Sequence, residues 1–236
     1  MKRKRRSKND IEESINKAAI LLIEEKGFQN ITVTAIMQKA KIEPVVFYNR
    51  YSDLDGFMNE FVKKYDYWFS DLAKGIENID NIKAQYLYIL NTLLDSLKEN
   101  KMMQQLLRWE LSNNNTTTHR TAGLREFYTL PLVDKYKKLF EGSNVEIDTV
   151  SALIIGGIYY LILHADLSEF AGIDIRTDEG MKKIHTAIEY LATVFFSEVN
   201  YESESITIAK RMKGKGVEPT DIADYTQLPI DLINQL

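Results

Sequence analysis

The 236-residue chain contains no cysteine. This excludes disulfides, thiol nucleophiles and thiolate metal sites, and it is compatible with a reducing cytoplasm. Only 4 prolines and 11 glycines are present, too few to punctuate the many short strands of a sandwich or barrel, so long helices are expected. No uninterrupted run of eighteen apolar residues occurs, and the N-terminus leads into a polar helix rather than an apolar signal core. Neither a membrane span nor a secretory leader is therefore expected. Histidine is also scarce: His119, His164 and His185 stand apart. A phosphate-cradling glycine loop, an HExxH helix and a nucleophile elbow are all missing. His164, Asp166 and Glu169 form only a weak metal pattern, so the chain reads as neither an enzyme nor a holder of metal or cofactor.

What is present is apolar and charged material in quantity. With 44% hydrophobic residues the chain can bury a full core. Its net charge of −4 conceals an asymmetry: residues 1–65 carry 13 Lys+Arg against 9 Asp+Glu, and the remainder 17 against 25. Lys2, Arg3, Lys4, Arg5, Arg6 and Lys8 supply much of the basic excess. As an arm at residues 1–8 they could follow phosphates or enter a minor groove.

The stretch Ile31–Phe57 contains two short helical patterns about a tight turn. Ile31, Ala35, Ile36 and Ala40 recur at helical spacing, with Thr32 or Thr34 as a cap. Lys41, Ile42 and Glu43 span the turn, and Pro44 opens the second helix, where its missing N–H costs nothing. This is the pattern of a helix-turn-helix, whose second helix lies in the major groove. Pro44, Val45 and Val46 could touch thymine methyls, while Tyr48, Asn49 and Arg50 offer hydrogen bonds to bases or phosphates. Before it, Asn9 or Asp10 to Lys26 reads as a helix with Ile11, Ile15, Ala18, Ala19, Leu22 and Ile23 on one face, ended by Gly27. After it, Ser52 or Asp53 caps a long helix through Phe57, Phe61, Tyr65 and Trp68.

From Ile11 to about Val62 the chain resembles the TetR family of bacterial transcriptional regulators. The residues that carry the resemblance are Gly27, Phe28, Thr34, Ile36, Ala40, Ile42, Phe47, Tyr48 and Tyr51. It departs from the family at Glu43, in place of a small turn residue, at Val45, in place of glycine, and at Leu54, where a phosphate-contacting lysine is common. The resemblance implies a cytoplasmic homodimer that binds a palindromic operator in double-stranded DNA, with Thr34 and Tyr48 on the backbone. It implies repression relieved by a small-molecule effector.

The expected fold is all-α: a three-helix DNA-binding domain at 9–56, a larger helical effector-binding and dimerisation domain at 57–204, and a helical appendage at 205–236. In the larger domain Asn81–Leu97 and Met102–Leu111 read as helices, Asn113–Thr118 as a polar loop, and Thr121–Phe140 as a helix that Pro131 should kink or split. Candidate effector walls are Tyr86, Trp109, Phe127, Tyr128 and Tyr159, with His164 as a polar group. Asp148–Leu167 is apolar on nearly all sides and must be covered by more than one neighbour. Leu153, Gly156, Gly157 and Tyr160 on it, with Ile184, Ile188, Leu191 and Phe195 on the next helix, are the candidate dimer interface. The appendage echoes the helix-turn-helix: Thr220, Ile222, Thr226, Leu228 and Ile233 stand where Thr34, Ile36, Ala40, Ile42 and Phe47 stand. Its acidic residues favour packing on the body or on a partner over a second DNA contact. A helical adaptor using the basic arm for protein contacts is the rival reading of the whole.

Overall fold

The computed structural model describes residues 6–236, those from 200 to 204 as helical backbone only. Among the described residues there are twelve α-helices and no strand beyond an isolated bridge between Phe170 and Ile173. Helix α1 (Lys8–Lys26) starts on a capping box: Ser7 Oγ accepts from Asp10 N, and the Ser7 N–H donates to the Asp10 carboxylate. That N–H holds the Asp10 carboxyl below its usual range. The stripe Ile15, Ala18, Ala19, Leu22 and Ile23 is buried. Gly27 then takes φ 76°, which a side chain rarely adopts, and turns the chain so that Phe28 enters the core.

Helix α2 (Val33–Ala40) is capped by Thr32, whose Oγ1 accepts from Ala35 N at 3.1 Å. Thr32→Ala is expected to cost about 1 kcal/mol of stability in a denaturant titration, because that orphan N–H loses its acceptor. Lys41 turns the chain in the left-handed region at φ 54°, and α3 (Pro44–Tyr48) follows with Pro44 in its first turn. Helix α4 (Leu54–Val62) begins at the Asp53 cap. It is not the long helix expected. The α-helix stops at Val62, a 3₁₀ turn spans Lys63–Tyr65, and α5 covers only Trp68–Leu72. The break brings Asp66 into the interior, 5% exposed, beneath the guanidinium of Arg120.

Helices α6 (Ile82–Glu99), α7 (Lys101–Ser112), α8 (Thr116–Leu139), α9 (Ile147–His164) and α10 (Asp178–Gly214) build the body. Two expectations are corrected in α8. Asn115 accepts from Thr118 N, so Thr116, Thr117 and Thr118 begin a helix instead of ending a loop. Pro131 does not split it, since it lies on an exposed face where the carbonyl deprived of its donor can meet water. One core runs from Ile15 on α1 to Phe196 on α10, and joins the first three helices to the body. Packing at the start of α10 is close: a Cβ on Gly180 would meet the Asp174 carbonyl oxygen at 1.9 Å.

A boundary drawn at 204 falls inside α10, which runs on to Gly214. Its last turns carry α11 (Pro219–Thr226) and α12 (Ile230–Gln235), which enclose a separate small core of Ala209, Ile222, Leu228 and Ile233. Helix α9 departs most from expectation. Of its 18 residues only Ile147, Ile158 and Ile162 are buried, so one side is covered and the other is open. By length and composition it could cross a membrane, with a mean hydropathy of 1.6. Counting uninterrupted apolar runs misses it, because Thr149, Ser151 and two glycines interrupt the run.

Candidate DNA-binding surface

The helix-turn-helix is held from within by side chains that give it one shape. Ile36 and Phe47 are fully buried, Ala40 nearly so, and Ile42 packs half-buried against them. The Phe47 ring lies 5.2 Å from that of Tyr51 and 5.8 Å from that of Phe57, which ties α3 to α4. With these residues inward, α3 must present its other positions to solvent. Val45 is 63% exposed and Tyr48 53%, and Thr34, Pro44 and Asn49 are exposed as well.

Two of the expected contacts are placed otherwise. Arg50 is half-buried and turned back: its Nη1 donates to the Val46 carbonyl at 3.0 Å and its Nη2 to that of Lys8 at 3.5 Å. Arg6 donates to the Ala40 carbonyl at 3.1 Å, at the end of α2. Both guanidiniums are thus engaged in bracing the unit. Lys2, Arg3, Lys4 and Arg5 lie outside the described residues. Leu54 packs on the core, which accounts for an apolar side chain there.

The unit is fastened to the body at two points. Phe28 stacks on Trp109 of α7 with ring centroids 4.8 Å apart and planes 11° from parallel, and Gln29 donates to Ser112 Oγ at 2.6 Å. Arg120 of α8 donates to Asn59 Oδ1 at 3.1 Å, to the Asn59 carbonyl at 3.2 Å, and to Asp66 Oδ2. One side chain therefore grips both α4 and the break that follows it.

Set against solved structures, this arrangement has clear counterparts. A TetR family transcription regulator from Marinobacter aquaeolei VT8 superposes with a TM-score of 0.57 at 17% identity, over 78% of this chain and 95% of its own. A protein described as a TetR-family transcriptional regulator from Vibrio parahaemolyticus gives 0.55 at 18%, over 76% and 96%. The fatty acid degradation regulator FadR from Bacillus halodurans gives 0.57 at 15%, over 75% and 97%. The chain has the TetR fold. No protein-family model and no curated protein matches the sequence. Each neighbour is nearly fully covered while about a quarter of this chain is left over, so the TetR fold here carries additional residues.

Within the TetR-like body the six candidate effector residues do not surround one cavity. Tyr86 is packed among Tyr136, Phe195 and Phe196 and shares a hydrogen bond with Ser151 Oγ at 2.9 Å. Trp109 is taken by Phe28, Phe127 is 63% exposed, and Tyr128 lies 4.8 Å from Tyr67. His164 stacks on Tyr160 beside Phe170. Burial pushes the Tyr159 hydroxyl up to about 12, opposed by the Arg125 guanidinium. Helical spacing marks these residues as inward or aromatic without telling which inward direction they share. A cleft of about 700 Å³ does lie between α6 and α10, lined by polar groups that include Asn91, Asp95 and His185, and none of the six borders it.

The candidate dimer residues divide. Leu153 is 73% exposed, Tyr160 50% and Leu191 43%, and a Cβ on Gly156 or Gly157 would meet nothing within 4 Å. Ile184, Ile188 and Phe195 are instead buried in the chain's own core, because α10 turns that stripe toward α6. Tyr190 and Val194 take their place on the open face.

A group that spacing did not single out is the ion pair between Arg125 and Glu110, with side chains 7% and 8% exposed. Its signal was the series Thr117, Thr121, Arg125 at every fourth position. All three are buried, so a polar stripe faces inward on α8.

Proposed function

We propose that the protein is a dimeric, sequence-specific DNA-binding regulator. The observation that carries this is α3 itself: Phe47 is locked inward while Val45, Tyr48 and Pro44 stand exposed, on the fold of transcription regulators. A rigid short helix with its outer face free is what major-groove entry demands. Thr34 and Tyr48 would position the unit on phosphates, and Pro44 and Val45 would meet base edges.

An uncovered apolar face supports the dimeric part of this reading. The open face of α9 with Tyr190, Leu191 and Val194 of α10 is apolar and continuous enough to need a cover. A second copy bound there forms a two-fold pair, which places two recognition helices about 34 Å apart on a palindrome. The two glycines allow the partner helix close approach. Control is repression, relieved when an effector favours a state in which those helices are misplaced, by no more than its differential affinity. Arg120 is suited to transmit that change, since it holds α4 and Asp66 together.

Selection from a random duplex pool by ligand-free protein tests the proposal, and it should enrich a palindrome. Tyr48→Ala should weaken binding to the selected duplex by on the order of tenfold while leaving thermal stability unchanged. A pool without any enriched sequence sinks the reading and favours the adaptor.

A further inference from the structure

Beyond Ser205 the chain rebuilds the geometry of its N-terminal unit. Ile222, Thr226, Leu228 and Ile233 take the inward positions of Ile36, Ala40, Ile42 and Phe47, and all four are buried. Gln227 turns the chain at φ 58° as Lys41 does at 54°. The end of α10 stands in for α1: Ser205 and Ala209 are buried, and Lys213 Nζ donates to the carbonyls of Ile233 and Asn234 at 2.9 Å. The result is a second helix-turn-helix with a core that shares no residue with the first.

Its surface is not suited to DNA. Helices α11 and α12, with the cap Glu218, carry Glu218, Asp221, Asp224 and Asp231 and neither lysine nor arginine. All four carboxylates are exposed, and none forms an ion pair among the described residues. A duplex would be repelled there. Ile208 and Arg211 on α10 and Lys215 at its C-cap follow one another at helical spacing and are exposed, and these two cations are likewise outside any ion pair among the described residues. A wholly basic partner would leave that stripe unmatched. From 205 to 236 four basic residues balance four acidic ones. A unit with an exposed basic stripe on one element and exposed carboxylates on the next two is complementary to a second copy of itself, the condition for a two-fold contact between identical units. Tyr225 at 79% exposure and Ile208 at 48% add apolar area, and a tyrosine ring beside an arginine gains cation–π attraction.

We infer that the C-terminal units of two copies of this chain pair with each other, the Ile208–Arg211–Lys215 stripe of one against the Asp221–Asp224–Tyr225 face of the other. This contact is distinct from the α9–α10 face and does not depend on DNA binding. Because the chain has no cysteine, single thiols report it cleanly. Full-length Ile208→Cys protein mixed with full-length Tyr225→Cys protein should cross-link through a short bis-maleimide. Adding Arg211→Glu with Lys215→Glu to the first protein should lower the yield by about tenfold, as should Asp221→Lys with Asp224→Lys added to the second. Mixing the two reversed proteins should restore it. All four charges are exposed, so circular dichroism should be unchanged.

Yields indifferent to charge reversal, or reversal without rescue, overturn the proposal. The same series in a Leu153→Asp background separates it from the body dimer. Persistence of the rescue pattern there supports an independent contact, and its loss overturns one. Binding of a DNA duplex through the C-terminal unit, detected as protection of the Tyr225→Cys thiol from maleimide, also overturns it.

Discussion

Glu110→Ala is expected to destabilise the protein by about 3–5 kcal/mol, the cost of leaving one member of a buried ion pair without the other. Arg125 and Glu110 are 7% and 8% exposed and join α8 to α7 inside the body. Removing the carboxylate leaves a guanidinium that cannot shed its charge. Arg125→Ala should cost a similar amount, because it leaves the Glu110 carboxylate buried without its partner. Replacing both with apolar residues of similar volume, Arg125→Met with Glu110→Leu, should be nearly neutral. Urea titrations of the four proteins near neutral pH check all three statements. A Glu110→Ala cost below 1 kcal/mol would mean that the pair is solvated.

If the double replacement is stable, the pair serves something other than stability. Glu110 Oε1, Asp66 Oδ1, Tyr136 Oη and His164 Nδ1 are buried and find no hydrogen-bond partner among the described residues. Two of these four, Glu110 and Asp66, are acceptors held in place by arginines of α8. Helix α8 thus supplies the arginine of each of these two pairs, and Arg120 places one of them against the break that follows α4. The helix-turn-helix unit and the body are joined here and at the Phe28–Trp109 stack.

Which of these features could be read from the chain follows from how local each one is. Thr32 as a cap, Pro44 in a first turn, and Ile36, Ala40, Ile42 and Phe47 as inward positions are all decided within a few residues, and all are found. The repeat at 220–233 was legible for the same reason. The break at Val62 was not, because it depends on Arg120, which lies 54 residues from Asp66. Helix α9 was read as needing several covers, since an all-apolar pattern carries no polar face to say which side the chain itself leaves open. The stripe of α10 failed in the opposite way: Ile184, Leu191 and Phe195 share a periodicity, yet α6 covers only part of that arc. Residue type alone does not mark an effector wall, because Trp109 is used here for docking Phe28 and Tyr86 for core packing.

Phe47→Ala separates the fold of the DNA-binding surface from its contacts. Phe47 is fully buried, and its ring meets those of Tyr48, Tyr51 and Phe57 at 5.6, 5.2 and 5.8 Å. Truncation removes a large apolar side chain and leaves a cavity, at a cost of about 3–5 kcal/mol. The loss falls on α3 in particular, because a five-residue helix has little stability of its own and depends on this packing. DNA binding should therefore be abolished together with the early part of the melting curve, while helicity of the body is kept. Tyr48→Ala, one residue on and half in solvent, should leave the melting curve unchanged and weaken only the binding. If Phe47→Ala melted as the parent does and still bound the selected duplex, α3 could not be the element that enters the groove. Opposite outcomes at adjacent positions are what a recognition helix requires, since one side must be fixed by the core for the other to be presented in register.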